Sequence, residues 1–180
     1  MDDFHHHTLQ QAIAIFAKQK VLATKAIAQL DDEQLFATLD PEMNSVAVIV
    51  KHLHGNMKSR WTDFLTSDGE KPNRQRDDEF VSPEEHHRTQ VMLWWEDGWG
   101  YLFSALDSLT PQDLEASVAI RGETTSVMAA ILRQVDHYGQ HVGQIVFLAK
   151  HLRGSTWRSL SIPRGESAAY LRRVTSASVR

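Results

Sequence analysis

The sequence predicts an all-α domain organised as a four-helix bundle. Four long segments carry apolar residues at alternating spacings of three and four, no segment shows a convincing strand alternation, and 180 residues suit one core. The 42% hydrophobic and 23% charged content is that of an ordinary globular protein, so neither disorder nor collagen-like repetition enters. A single domain over residues 1–180 is expected, with 1–7 flexible or artificially added and 154–180 as a C-terminal extension.

The first helix follows from Leu9, Ile13, Phe16, Lys20, Ala23, Ile27 and Leu30, a bundle stripe that only Lys20 interrupts. Asp31, Asp32, Asp40 and Pro41 break it. Asn44 or Ser45 can cap a second helix running to about Thr66, where Ser67-Asp68-Gly69 stops it. Residues 69–81 read as a charged surface connection, longer than a tight antiparallel turn needs, so a crossover connection fits there. Ser82-Pro83-Glu84-Glu85 has the pattern of a helix start, and the third helix should continue to about Leu109. Thr110-Pro111-Gln112-Asp113 opens a short turn, and residues 118–123 read as extended. Thr124 or Thr125 then caps a fourth helix that ends near His151, ahead of Gly154. Pro163 and Gly165 make residues 155–166 irregular, and 168–174 suit a last short helix.

Composition narrows the chemistry. The chain has no cysteine, which excludes disulfides, iron–sulfur clusters and a cysteine nucleophile and fits a reducing compartment. Its longest apolar run, Ser45 to Val50, is far short of the roughly 20 residues of a membrane span, and no signal peptide opens it. A cytoplasmic location without membrane attachment is the expectation. The net charge of -4 and the lack of a basic recognition helix speak against nucleic-acid binding. From Lys150 onward seven Lys/Arg face only Glu166, and this tail is expected to lie across acidic neighbours of the same or the next molecule.

The histidines carry the functional signal. In the fourth helix His141 and Gln134 fall on the core seam with Val127, Ile131, Tyr138, Ile145 and Leu148, where polar groups need compensation. His137 lies one turn earlier, about 6 Å along the axis on nearly the same face, so the two imidazoles can chelate one ion. Tyr138 stands where a zincin would need glutamate, which disfavours a metalloprotease. A third ligand must come from another helix, and the second offers His52 and His54 on either side of Leu53; periodicity alone does not choose. His52 is favoured because it stacks with Ser45, Asn56, Ser59 and Asp63, a polar flank able to orient a ligand, whereas His54 stacks with Val50, Met57 and Trp61. Gln144 shares the side of His137 and is a further orienting candidate. His86, His87 and His151 suggest no site, and His5-His6-His7 could bind metal adventitiously.

The strings Ser45-Val-Ala-Val-Ile-Val-Lys-His52-Leu-His-Gly-Asn56 and His137-Tyr-Gly-Gln-His141-Val-Gly-Gln144-Ile resemble the DinB-like superfamily. Residues 59–72, 120–123 and 160–165 look like one domain-of-unknown-function branch of it. The resemblance implies a four-helix bundle with a crossover connection, frequently dimeric, and a three-histidine site for nickel, zinc or another divalent cation. It maps the helix-two ligand onto His52, with Asn56 following one turn later. Among relatives are metal-dependent S-transferases that act with low-molecular-weight thiols.

Two functions are therefore expected to compete. In one, a metal on His52, His137 and His141 activates a substrate thiol or water in a transferase or hydrolase, with Arg121 and Arg164 as candidates for a substrate carboxylate and Glu123 as a weaker proton acceptor. In the other, the metal only stabilises a non-enzymatic helical module. A metal-free interaction protein would draw instead on five tryptophans, of which Trp95 and Trp99 share a helix face, although such residues are more often core or a homodimer seam.

Overall fold

The computed structural model describes residues 2–83 and 87–177. The fold is all-α with one small hairpin: α1 Asp2–Ile27, α2 Asp32–Phe36, α3 Val46–Trp61, α4 Arg88–Asp107, β1 Ser117–Ile120, β2 Glu123–Ser126, α5 Val127–Arg153 and α6 Ser167–Ala177. Six helices are thus present among the described residues: the four long ones, the last short helix expected near 168–174, and α2, which was not expected.

Local chemistry sets most boundaries. Ser45 Oγ accepts from the Val48 amide and Ser126 Oγ from that of Ala129, capping α3 and α5. Ser126, not Thr124 or Thr125, takes the second role: it is the last residue of β2, immediately before α5, and the two threonines lie earlier in the strand. α3 ends at Trp61, short of Thr66, and Asp63 adopts a left-handed backbone that turns the chain away. α1 extends to Asp2, through the three histidines. α4 starts at Arg88, with Ser82 and Pro83 outside it; Glu84 and Glu85 of the expected cap, and His86, lie outside the described residues. Gly154, at φ 51°, ends α5 as expected.

The directions of the long helices follow from their contacts. α1 and α5 run parallel, since Leu9 and Ala12 lie near Ile131, Phe16 meets Tyr138, and Gln34 beyond α1 donates to the Leu152 carbonyl. α3 opposes α5: Ile49 is near Leu148, His52 beside His141, and Trp61 Nε1 donates to the Tyr138 hydroxyl. α4 opposes α1, because Arg88 Nη2 donates to the Leu30 carbonyl and Lys20 Nζ pairs with Glu96 at 2.6 Å. α3 and α4 therefore point the same way, and the segment between them returns the chain along the molecule. Lys20, the polar interruption in the α1 stripe, is accounted for by Glu96.

The core joins Phe16, Leu53, Met57, Trp95, Trp99, Leu102, Tyr138 and Ile145, all at most 2% exposed. Trp95 and Trp99 are core residues, which removes the motive for an exposed aromatic interface on that face. Of the C-terminal expectation, the part that places the basic tail on acidic groups of the same molecule is not met. Arg158, Arg164, Arg172 and Arg173 form no ion pair with a carboxylate of the chain among the described residues, and the side chains of residues 167–176 in α6 are exposed. No helix among the described residues is long and apolar enough to cross a membrane.

Candidate metal centre

α3 and α5 bring His52, His137 and His141 together, with one nitrogen of each inside 4.8 Å of the others. His52 is 4% exposed, and the other two are half-buried. His137 Nε2 and His141 Nε2 are 3.1 Å apart. Two nitrogens at about 2.0 to 2.1 Å from one cation would have this separation at an angle near ~100°, between octahedral and tetrahedral geometry. Among the described residues no other group of three metal-ligating side chains occurs, and His5, His6 and His7 form none.

The outer nitrogens show how the rings are aimed. His52 Nδ1 donates to Glu79 Oε2 at 2.9 Å; an ionised carboxylate can only accept, so Nδ1 carries a proton and Nε2 is the nitrogen available to a ligand. His141 Nδ1 contacts Gln144 Oε1 at 2.8 Å, which leaves its Nε2 facing His137. His137 Nδ1 is buried with no hydrogen-bond partner, and its ring is held by packing against Tyr138 and the other two imidazoles. Phe80 stacks on His52 with ring centres 4.6 Å apart.

Behind His52 lies a charged relay. Arg74 grips Glu79 through Nε and Nη2, both at 2.8 Å, and reaches Glu70 through Nη1 at 3.1 Å. Burial works to raise the Glu79 pKa, but the bonds from His52 and Arg74 outweigh it and hold the carboxyl below the usual range. His137 and His141 are lowered as well, which for an imidazole favours the neutral form. Burial, then the neighbouring His141 and His52 rings and the charges of Arg60 and Arg74, push His137 down to about 3. Burial and His52 also lower His141, against the opposing bond from Gln144. A divalent cation requires neutral imidazoles, the form that lowering favours in His137 and His141, and with the three nitrogens converging the residues fit such an ion.

Of the two helix-two candidates, His52 is in the cluster, whereas His54 Nε2 bonds Asp97 on α4 at 2.8 Å. Asn56 lines the same cavity as the imidazoles, and its Oδ1 accepts from the Tyr138 hydroxyl at 3.0 Å, itself the acceptor for Trp61 Nε1. This chain sets α3 against α5 next to the cluster. Gln134 and Arg121 also line the cavity, of about 390 Å³, while Glu123 and Arg164 do not. A larger groove of about 500 Å³ on the other flank of α3 reaches Arg74 and Glu79 but none of the three histidines.

Sequence reasoning missed Glu79, Arg74 and Phe80. They sit in the stretch read as a surface connection, yet Glu79 is 6% exposed and the Arg74 side chain 4%. A short 3-10 turn at Asp77–Phe80 folds them onto α3. A charged run with one aromatic looks the same whether solvated or folded inward, and nothing local marks this one.

An all-α scaffold whose two antiparallel helices hold three imidazoles within reach of one cation defines a class of helical proteins with a metal-competent histidine cluster. The chain belongs to the family described as "Protein of unknown function (DUF1572)", whose model matches residues 3–166, and that family is part of the DinB-like superfamily. No curated protein matches this chain.

Proposed function

We propose that the protein is an enzyme that holds one divalent cation, nickel or zinc, on His52, His137 and His141 and directs a low-molecular-weight thiol or water onto an electrophile. The observation that carries this reading is the three-nitrogen cluster at the edge of a cavity. When bound, the cation would act as a Lewis acid that makes a thiol or water nucleophilic near neutral pH. The chain's own residues supply orientation: Glu79 and Gln144 aim His52 and His141, Arg74 keeps Glu79 ionised, and Phe80 covers one face of the His52 ring. The four long helices act in this reading as a bundle framework, with Asn56, Tyr138 and Trp61 fixing the distance between the ligand helices. Three histidines with no fourth ligating group among the described residues leave coordination positions for a substrate.

A second reading, a metal-stabilised helical module, draws support from the ligands' coming from two different helices, which one ion would clip together. Homodimerisation, as the resemblance implies, is supported by exposed apolar side chains such as Leu132 and Phe147, and light scattering tests the dimer; the cytoplasmic location rests on the composition alone.

The deciding experiment measures metal content in protein carrying His5→Gln, His6→Gln and His7→Gln, with and without His137→Ala, and then thiol consumption with several thiols and electrophiles. One ion per chain, lost with His137→Ala, and thiol-dependent turnover are expected. Equal metal with and without His137→Ala would remove the site. Metal binding with no turnover would leave the stabilised module.

A further inference from the structure

The cavity beside the imidazoles is strongly basic. Arg60, Arg74, Arg76, Arg121 and Arg133 line it, against Asp136 as the lining carboxylate among the described residues. Part of this charge is neutralised from behind: Arg74 is committed to Glu79 and Glu70, Arg121 Nε reaches Glu70 at 3.2 Å, and Asp136 holds the Gln140 amide. Arg76, half-exposed, lies over the Phe80 ring and 3.9 Å from Asp77; the other two guanidinium groups have no close partner. Arg133 forms no ion pair among the described residues, and Arg60, only 3% exposed, has its nearest carboxylate oxygen, on Glu70, at 3.9 Å. Arg60 Nε and Nη1 are buried without a hydrogen bond, and so is the Oε1 of Gln134, another buried residue of the same wall. A buried cation left this poorly paired costs stability, and a fold that keeps it needs a compensating anion.

The surrounding backbone is built around these groups. A Cβ at Gly69 would come within 2.6 Å of Arg60 Nη1, so the loop after α3 closes directly over the guanidinium, and a side chain there would displace it. Arg121 occupies the first position of the two-residue β1–β2 turn with φ 56°, a left-handed conformation unfavourable for an arginine, followed by Gly122 at φ 77°. Asp68 holds this turn, accepting from the Arg121 and Gly122 amides at 2.8 and 2.7 Å. Strain of this kind persists where surrounding contacts over-determine it, commonly beside a binding site.

We infer that this cavity is an oxyanion site, which takes a small molecule bearing a carboxylate or phosphate and holds that group with Arg60, Arg121 and Arg133. Guanidinium forks match the planar and tetrahedral oxygens of such groups. The site's role as a substrate anchor rests on the metal-centre reading above, because the same cavity is bordered by the three imidazoles; its binding of the anion does not. The substrate of the proposed enzyme is accordingly an anionic molecule.

Inorganic phosphate serves as the probe, titrated calorimetrically at low ionic strength into chelator-treated full-length protein carrying the His5→Gln, His6→Gln and His7→Gln changes, so that no metal can bind it. Saturable binding is expected, about tenfold weaker in Arg133→Gln and in Arg121→Gln, and unchanged in Lys25→Gln, a cation on a different groove. Arg60→Met should weaken phosphate binding without lowering the urea midpoint in phosphate-free buffer, which separates a ligand-binding role from a structural one; the exposed Arg133 decides if that variant fails to fold. Absence of saturable binding, or equal losses in Lys25→Gln and Arg133→Gln, overturns the proposal. Displacement of phosphate by succinate would mark a carboxylate-bearing ligand, and its failure to compete a phosphate-bearing one. Nickel titration of the same variants keeps the two readings apart: phosphate failing with nickel binding intact removes only the oxyanion site, and the reverse removes only the metal centre.

Discussion

The three histidines are not equivalent at the level of single side chains. His52 leans on an ionised carboxylate and His141 on an amide, while His137 Nδ1 has no hydrogen-bond partner. Orientation of the cluster therefore depends heavily on two supporting residues. Gln144→Ala should weaken metal binding by about 10-fold or more, as loss of an orienting partner does, and a chelator-competition titration would read it. Affinity equal to that of the unmodified protein would show that packing alone orients His141. Gln144 was legible in the sequence because, seven residues after His137, it falls on the side of the helix that carries the pair. Glu79 was not, because its partnership with His52 crosses 27 positions and a loop.

At the scale of elements, α3 illustrates a local preference yielding to the site. Gly55 lies inside this helix, where glycine costs about 1 kcal/mol relative to alanine. A Cβ there would overlap the Glu79 carboxylate, which is already fixed by Arg74 and His52. Helix propensity alone predicts that Gly55→Ala stabilises the protein; the structure predicts a net loss of about 1 to 2 kcal/mol from overpacking, together with weaker metal binding. Urea unfolding of the metal-free protein checks the sign, and a raised midpoint would mean that the Asp77–Phe80 turn shifts freely. The same turn explains why part of residues 69–81 was misread: Arg76, Asp77 and Asp78 are exposed, but Glu70, Arg74 and Glu79 pair with one another and with α3.

The whole molecule adds a pH dependence. His137 titrates near 6.5 when unfolded and at about 3 in the fold, so between these values the unfolded chain binds a proton that the folded chain refuses. Its contribution to stability is full above pH 6.5 and declines as the pH falls toward 3; His141, also lowered, acts in the same direction. Glu79, held below the usual carboxylate range, adds a further loss at the acid end as it becomes protonated. Metal-free protein should have a lower urea midpoint at pH 5 than at pH 7, with the difference reduced in His137→Gln. Equal midpoints at the two pH values would show that the imidazoles are more hydrated than their burial implies. The parallel course of α3 and α4 belongs to this scale as well, since the return segment it requires is what carries Glu79 and Arg74 to the back of His52.

By itself the sequence determined the long helices and the pair on α5, because both depend on periodicity and spacing within one segment, where 3.6 residues per turn leaves little freedom. It also favoured His52 over His54 through the polar flank of the second helix. Only the tertiary structure decided which groups stand behind and beside the cluster: the Glu79 and Arg74 relay, the left-handed Arg121 and the buried Arg60. Those depend on contacts between distant parts of the chain and on which charges are cut off from water, and neither distance nor dielectric environment is written in local sequence.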